Sequence, residues 1–266
     1  MEPYVRTHPQ YKELNVNEKL PSTVEHRYPE IDLLRSVAIL GMVLYHTTYD
    51  LSAFYEWDID PLSGGWWLFA RTTAVLFLLV SGASNTIANA RAQNAGGKTA
   101  VWKRTKERFL QIATAALLVT LSTYVFDPGT FIRFGILHCI AVSVFLLPIF
   151  QRCRTWNALL GIMIIVLGNI MTGITADTSL LLPLGILPPH FSSLDYFPLL
   201  PWFGVVLLGS AIADFLYVHK EFPGVPLPSS LTVLSFWISR FSLMIYLVHQ
   251  PVILLLLMVT LGKPPA

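Results

Sequence analysis

Charged residues are scarce in this chain. Only 13% of its 266 residues are Asp, Glu, Lys or Arg, whereas 54% are hydrophobic, and the mean hydropathy is +0.58. A soluble globular domain carries roughly 25% charged residues, so the composition excludes that class and indicates a protein surrounded by membrane lipid. The net charge of only +2 also gives no reason to expect a nucleic acid as a partner.

Several motifs of other protein classes are missing. The sequence has no cluster of metal-ligating residues, no Gly-rich phosphate loop and no nucleophile elbow, so we expect no metal cofactor. It has two cysteines, Cys139 and Cys153, which on one helix would lie about 21 Å apart and so cannot form a disulfide bond. The polar N-terminus, residues 1–27, lacks the apolar core of a signal peptide, and we expect it to be a flexible cytoplasmic tail.

Long apolar stretches are abundant instead. Several approach the roughly 20 residues that a helix needs to cross a bilayer, and they lack the alternation of barrel strands. The sequence therefore predicts an all-α, polytopic membrane helical bundle with about seven transmembrane helices, in which residues 28–262 form a single transmembrane domain. The predicted spans are 31–51, 66–89, 107–126, 132–150, 155–174, 197–217 and 237–261.

The distribution of Lys and Arg predicts the orientation. The segment before the first span, the second loop and the fourth loop are rich in these residues, and such segments stay in the cytoplasm. The first loop carries Glu56, Asp58 and Asp60 but no Lys or Arg, and the fifth loop, residues 176–196, also has none. We therefore expect a multi-pass plasma-membrane protein, N-inside and C-outside. The apolar, proline-broken fifth loop further predicts a partly re-entrant lid on the outer face.

Four ionisable residues of the first span share one face of the helix. Asp32, Arg35, His46 and Asp50 extend over 18 residues, which is about five turns at 3.6 residues per turn. A charge at bilayer depth costs at least about 2.5–3.5 kcal/mol, so such residues usually face the bundle interior and mark a functional path. A structural alternative stays open, in which Asp32 and Arg35 pair and simply fix the helix near its cytoplasmic end.

His46 is the candidate general base, because an unperturbed imidazole titrates near neutral pH. Asp50 lies one turn later and is predicted to orient the ring. Oppositely charged residues at the same outer depth are expected to meet there, either as oxyanion and charge partners or as a structural ion-paired plug. His249 in the last span is a secondary candidate, with a packing role equally open. The further candidates at this depth are Arg71, Arg133, His138, Asp195 and Tyr196.

The second cytoplasmic loop, residues 98–108, is strongly basic. Positive-inside topology explains this composition on its own. The sharper hypothesis is a landing site for the phosphates of a cytosolic acyl donor, held by charge-assisted hydrogen bonds. The candidate donor-binding residues are Arg35, Lys103, Arg104 and Arg108.

The segment from Asp32 to Asp50 resembles the opening helix of the heparan-α-glucosaminide N-acetyltransferase catalytic-domain family, within the wider group of transmembrane acyltransferases. The ten residues between Arg35 and His46 are also similar to the Arg/His signature of membrane acyltransferases that add O-acyl groups to bacterial surface glycans, and the role of His46 is carried over from that signature. The resemblance to the first family continues along most of the chain, through segments 76–82, 132–138, 195–202 and 239–251.

The resemblance implies transfer of an acetyl or other acyl group from cytosolic acetyl-CoA or acyl-CoA to an amine or hydroxyl of an extracytoplasmic sugar or glycan. Arg35 would help hold the donor, His46 oriented by Asp50 would deprotonate the acceptor, and Arg71 or Arg133 would stabilise the oxyanion. An acyl-histidine intermediate is the alternative route.

Two other classes stay open on the sequence alone. A transporter of small solutes or lipid-linked substrates would use the same buried charges as a proton relay, and a catalytically inactive structural or sensory protein would tolerate their loss. The sequence is compatible with a homo-oligomer.

Overall fold

The structure is a computed structural model that describes residues 27–263. Within this range all regular elements are helical, and the only β-type pairings are two isolated bridges, Phe134 with Tyr196 and Thr175 with Leu187. The predicted all-α class is thereby confirmed. The predicted N-terminal tail, residues 1–27, lies outside the described residues except for Arg27.

Seven α-helices form the described part of the chain. Short 3-10 segments lie at Gln151–Cys153 and Ser179–Leu184, and a π-helical turn, Asp214–His219, extends the fifth helix. The α-helices are α1 (Pro29–Tyr55), α2 (Gly64–Phe126), α3 (Ile136–Phe150), α4 (Trp156–Ile170), α5 (Leu199–Ala213), α6 (Ser229–Arg240) and α7 (Ser242–Leu261).

The helix α2 contains two predicted spans and the loop between them. Its backbone leaves helical geometry only at Gly96 and Gly97, where Gly97 has φ +63°, so we divide it into α2a (64–95) and α2b (98–126). The prediction that residues 98–108 form a loop is therefore wrong. The residues after Gly97 are mostly Lys, Arg, Ala and other good helix formers, which let the helix start again at once.

Two other predicted boundaries shift for local reasons. The helix α3 begins at Ile136 rather than near residue 132, because Phe134 pairs with Tyr196 in a bridge. The last predicted span is divided at Phe241 into the short helix α6, which was not predicted, and α7.

Contacts between side chains show the directions of the helices. Along α1, Arg35 bonds Ser239 just before α7, His46 faces His249, and Tyr55 bonds Gly262, so α7 runs parallel to α1. By similar pairs of contacts α2a runs antiparallel to α1, α3 antiparallel to α2b, and α4 antiparallel to α5. This alternation is what seven consecutive crossings require. We call the end of the bundle that carries Arg35 the arginine end.

Four helices of residues 27–263 are long and apolar enough to cross a membrane: Gly64–Phe126, Ile136–Cys153, Leu199–His219 and Ser242–Leu261. The helix α4 is apolar but shorter, at 15 residues, and α1 is 27 residues long but falls outside this set. The helices therefore support a membrane protein. The count of seven spans and the orientation stay predictions.

The helix α5 lies between α2a and α4 at very short distances. A methyl group on Gly82 would collide with the carbonyl oxygen of Val206, and one on Gly209 with that of Leu79. Neither backbone can move away easily, because both belong to packed helices. These glycines let α2a and α5 form a rigid scaffold for the side chains described below.

Candidate active site

A cavity of about 430 Å³ opens among α1, α2a, α2b, α3 and α7 at the arginine end. Asp32 is the only carboxylate among its lining residues, so the cavity is strongly positive. Charge of this kind suits a ligand with several phosphate groups. We call it the arginine cavity, after its five arginines: Arg27, Arg35, Arg91, Arg104 and Arg108.

Arg35 is held by two neighbouring helices and by a residue of its own helix. Its guanidinium donates to Ser84 Oγ of α2a and, at 2.7 Å, to Ser239 Oγ of α6. The ion pair between Arg35 and Asp32 that the structural alternative describes is present at 3.9 Å, but Asp32 forms its shorter ion pair, 2.7 Å, with Arg27. The Asp32 carboxylate is thus shared, and most of the positive charge of the cavity stays uncompensated.

Arg104 is positioned by two asparagines on the facing helix. Its Nη1 donates to Asn89 Oδ1 at 2.6 Å and approaches Asn85 Oδ1 at 3.5 Å. Asn85 and Asn89 lie one turn apart on α2a, so the break at Gly96 and Gly97 brings this arginine of α2b back onto the same cavity.

Lys103 differs from the other predicted donor-binding residues. It is exposed and is not among the residues that line the arginine cavity, because neighbouring positions on a helix point about 100° apart. Arg35, Arg104 and Arg108 do line it. Arg91 also lines the cavity and was not predicted to do so, although its position two turns after Ser84 places it on the same face of α2a.

The cavity reaches from the arginine end deep into the bundle. Leu137 and Tyr246 belong to its lining, and both lie beside a histidine. Leu137 directly precedes His138 in the sequence, and the Tyr246 ring lies 5.6 Å from the His249 ring. The lining of the cavity thus comes close to both imidazoles without including either of them.

His138 has partners for both ring nitrogens. Its Nδ1 accepts from the Gly135 N–H at 3.2 Å, so Nε2 carries the hydrogen and approaches Thr120 Oγ1 at 3.3 Å. The ring caps the N-terminus of α3, and neither ring nitrogen has a free lone pair for proton transfer. The contacts of His138 are therefore those of a residue that stabilises the fold.

Asp195 also binds the N-terminus of α3. Asp195 lies in the connection before α5, and its Oδ2 accepts a hydrogen bond from the Ile136 N–H at 2.9 Å. Burial raises the pKa of this carboxyl to about 6, although the hydrogen bond from Ile136 acts in the opposite direction. Tyr196 beside it donates its hydroxyl to the Leu182 carbonyl at 2.7 Å and so holds the 3-10 segment of the same connection.

The expectation that opposite charges meet at this depth is wrong. No ion pair among residues 27–263 joins Asp50 or Asp195 to an arginine. The Arg71 guanidinium lies 5.6 and 5.5 Å from the Trp67 and Trp202 rings, and that of Arg133 lies on aromatic rings as well. Aromatic faces take the place of carboxylates as partners here.

His46 and Asp50 face the bundle interior, but they do not bind each other. His46 Nδ1 lies 2.9 Å from the Met42 carbonyl, because side chains on a helix lean toward its N-terminus and away from position i+4. The Asp50 carboxylate instead accepts from Gln250 Nε2 at 2.8 and 2.9 Å. The predicted orientation of His46 by Asp50 is therefore wrong.

The neighbour of the His46 ring is His249 on α7. The two ring centroids lie 4.8 Å apart at an angle of 74°. His249 is 9% exposed, and its Nδ1 lies 2.6 Å from the Tyr246 carbonyl. The structure thus joins the primary histidine candidate to the secondary one, which lies 203 positions away in the sequence.

The chain matches the family model described as heparan-alpha-glucosaminide N-acetyltransferase, catalytic, over residues 27–251. This match runs from the first described residue into α7 and includes both the arginine cavity and the histidine pair. The chain belongs to this heparan-alpha-glucosaminide N-acetyltransferase catalytic family. Family membership supports a transferase of the membrane acetyltransferase type. No curated protein and no solved structure matches this chain.

Proposed function

We propose that this chain is a membrane-bound acyltransferase that moves an acetyl or other acyl group from cytosolic acyl-CoA to an amine or hydroxyl of an extracytoplasmic sugar or glycan. The observation that carries the proposal is the arginine cavity, because five guanidinium groups around one carboxylate suit the phosphates of a nucleotide-bearing donor. The arginine end would face the cytosol, in agreement with the distribution of Lys and Arg.

The donor would extend its thioester toward the interior of the bundle. Its phosphates would bind near Arg35 and Arg104, and the acyl end would pass Tyr246 toward His46. Along α1 the distance from Arg35 to His46 is about 16 Å, at a rise of 1.5 Å per residue. The acceptor would approach from the opposite end of the bundle.

His46 supplies the base in this proposal. Its ring is half-buried, and Nδ1 points at a carbonyl oxygen, which leaves Nε2 to accept the proton of the acceptor nucleophile. The nucleophile bonds to the acyl carbon, the carbon–sulfur bond breaks, and the proton passes to the leaving thiolate. The products are the acylated acceptor and free CoA thiol.

Labelled acetyl-CoA tests the proposal directly. The protein in sealed vesicles receives acetyl-CoA on the side of the arginine end and glucosamine on the other, and the acceptor is analysed by mass. The proposal requires acetylated glucosamine; a transporter would deliver its substrate unmodified. His46→Gln should lower the transfer rate roughly 10²–10⁴-fold while CoA binding is kept. The matched control is His190→Gln, an exposed loop histidine, which should transfer at the wild-type rate.

A further inference from the structure

The hydrogen bonds of the two facing imidazoles fix where their protons are. His46 Nδ1 lies 2.9 Å from the Met42 carbonyl and His249 Nδ1 lies 2.6 Å from the Tyr246 carbonyl. A carbonyl oxygen can only accept, so each Nδ1 carries the hydrogen. In the neutral state each ring therefore presents an Nε2 lone pair, and the two rings lie next to each other between α1 and α7, with their centroids 4.8 Å apart.

The Nε2 atom of His249 is buried and has no hydrogen-bond partner within residues 27–263. Buried polar atoms are nearly always hydrogen-bonded, because an unpaired one loses its hydration without compensation. His138 shows the ordinary solution in the same bundle, with both nitrogens engaged. The unpaired nitrogen of His249 thus needs a donor from outside the described residues, 27–263.

The His249 ring lies close to the arginine cavity and to His46. Its ring lies 5.6 Å from the Tyr246 ring, which lines the arginine cavity, and 4.8 Å from the His46 ring. His249 therefore stands between the end of the donor cavity and the candidate base. An N–H or O–H group placed between the two rings would meet two acceptor nitrogens.

We propose that His249 is a second catalytic residue, whose Nε2 accepts a hydrogen bond from the acceptor nucleophile together with His46 Nε2. This inference rests on the proposed function. An acceptor amine donates one N–H to each of the two nitrogens, which holds its lone pair toward the acyl carbon, whereas a hydroxyl has one hydrogen and bonds only one of them. When that bond forms and the carbon–sulfur bond breaks, the proton moves to one imidazole and then to the thiolate, which restores two neutral rings. Two imidazolium ions at this distance repel each other, so the pair carries one proton at a time.

Chemical rescue distinguishes catalysis from packing. Labelled acetyl-CoA and glucosamine are used with the full chain, and binding of CoA by each variant shows that it is folded. His249→Gln should lower kcat roughly 10²-fold or more with the KM for acetyl-CoA unchanged. His249→Ala should regain activity with added imidazole, and substituted imidazoles of higher pKa should restore it better. Pyrrole, which has a similar shape but no basic nitrogen, should not restore activity.

The outcomes are separable. A wild-type chain that transfers no acetyl group overturns the proposed function and this inference with it. A wild-type chain that transfers, with His249→Gln at the same rate or with pyrrole as effective as imidazole, overturns this inference alone. His190→Ala is the control for histidine loss and should keep full activity, because this side chain lies exposed in the connection before α5. The double variant His46→Gln, His249→Gln should be little worse than the poorer single variant, since the two residues act as a unit.

Discussion

Replacement of Arg104 by Gln should weaken the binding of acetyl-CoA, whereas the same change at Lys103 should not. The two residues are neighbours, carry the same charge and lie on the same helix, but only Arg104 lines the arginine cavity. Both changes remove one positive charge from the same basic segment, residues 98–108. The comparison therefore separates donor binding from the positive-inside effect.

The size of the effect follows from the contacts of Arg104. A hydrogen bond to a charged group contributes about 1.5–3 kcal/mol, which corresponds to roughly 10–100-fold in Kd. The other four arginines of the cavity remain, so we expect the lower end of this range, about tenfold. Lys103→Gln should change Kd less than about twofold, because exposed charges are largely screened beyond about 8 Å at physiological salt.

Titration calorimetry of purified protein with acetyl-CoA measures both variants. Acetyl-pantetheine, which lacks the nucleotide phosphates, is the ligand control and should bind the wild type and Arg104→Gln equally weakly. The defect of Arg104→Gln should also depend on salt. Equal losses for the two ligands, or equal losses at Lys103 and Arg104, would refute a phosphate site in the arginine cavity.

Three further predictions concern orientation and stability. With Cys153→Ser as background, Ser192→Cys in the exposed connection before α5 should react with an impermeant thiol reagent added outside cells, and Thr99→Cys should not; the reverse pattern contradicts the proposed orientation. Gly209→Ala should destabilise the protein by about 1–3 kcal/mol in thermal unfolding, because the new methyl group meets the backbone of α2a. Gly65→Ala, which meets no atom, is the control. The raised pKa of Asp195 means that the folded state binds its proton more tightly, so stability should fall as pH rises from 3.8 to about 6. Asp195→Asn should remove this dependence in unfolding scans over that range.

Hydropathy and charge predicted the helical class and the approximate positions of most helices. They did not predict that α2 continues through residues 98–108, because a polar segment is read as a loop even where its residues favour a helix. The short helix α6 was missed for a related reason, since its 12 residues are too few for a span.

The candidate site was predictable where one helix determines it. The face that carries Asp32, Arg35, His46 and Asp50 follows from helical spacing, and all four side chains contact neighbouring helices. Their partners come from distant parts of the chain, and helical spacing within α1 contains no information about them. The predicted His46 and Asp50 pair failed for that reason: the partner of Asp50 is Gln250, two hundred positions later.

Arg35 and His46 lie on one continuous helix, so α1 sets the distance between them. No break separates the two residues, so the distance between Arg35 and His46, about 16 Å along the helix axis, is fixed. A carrier whose arm is shorter than this distance would bind through its phosphates and still hold its acyl group out of reach. Selection among acyl donors would then depend on the length of the arm as much as on the chemistry of the acyl group.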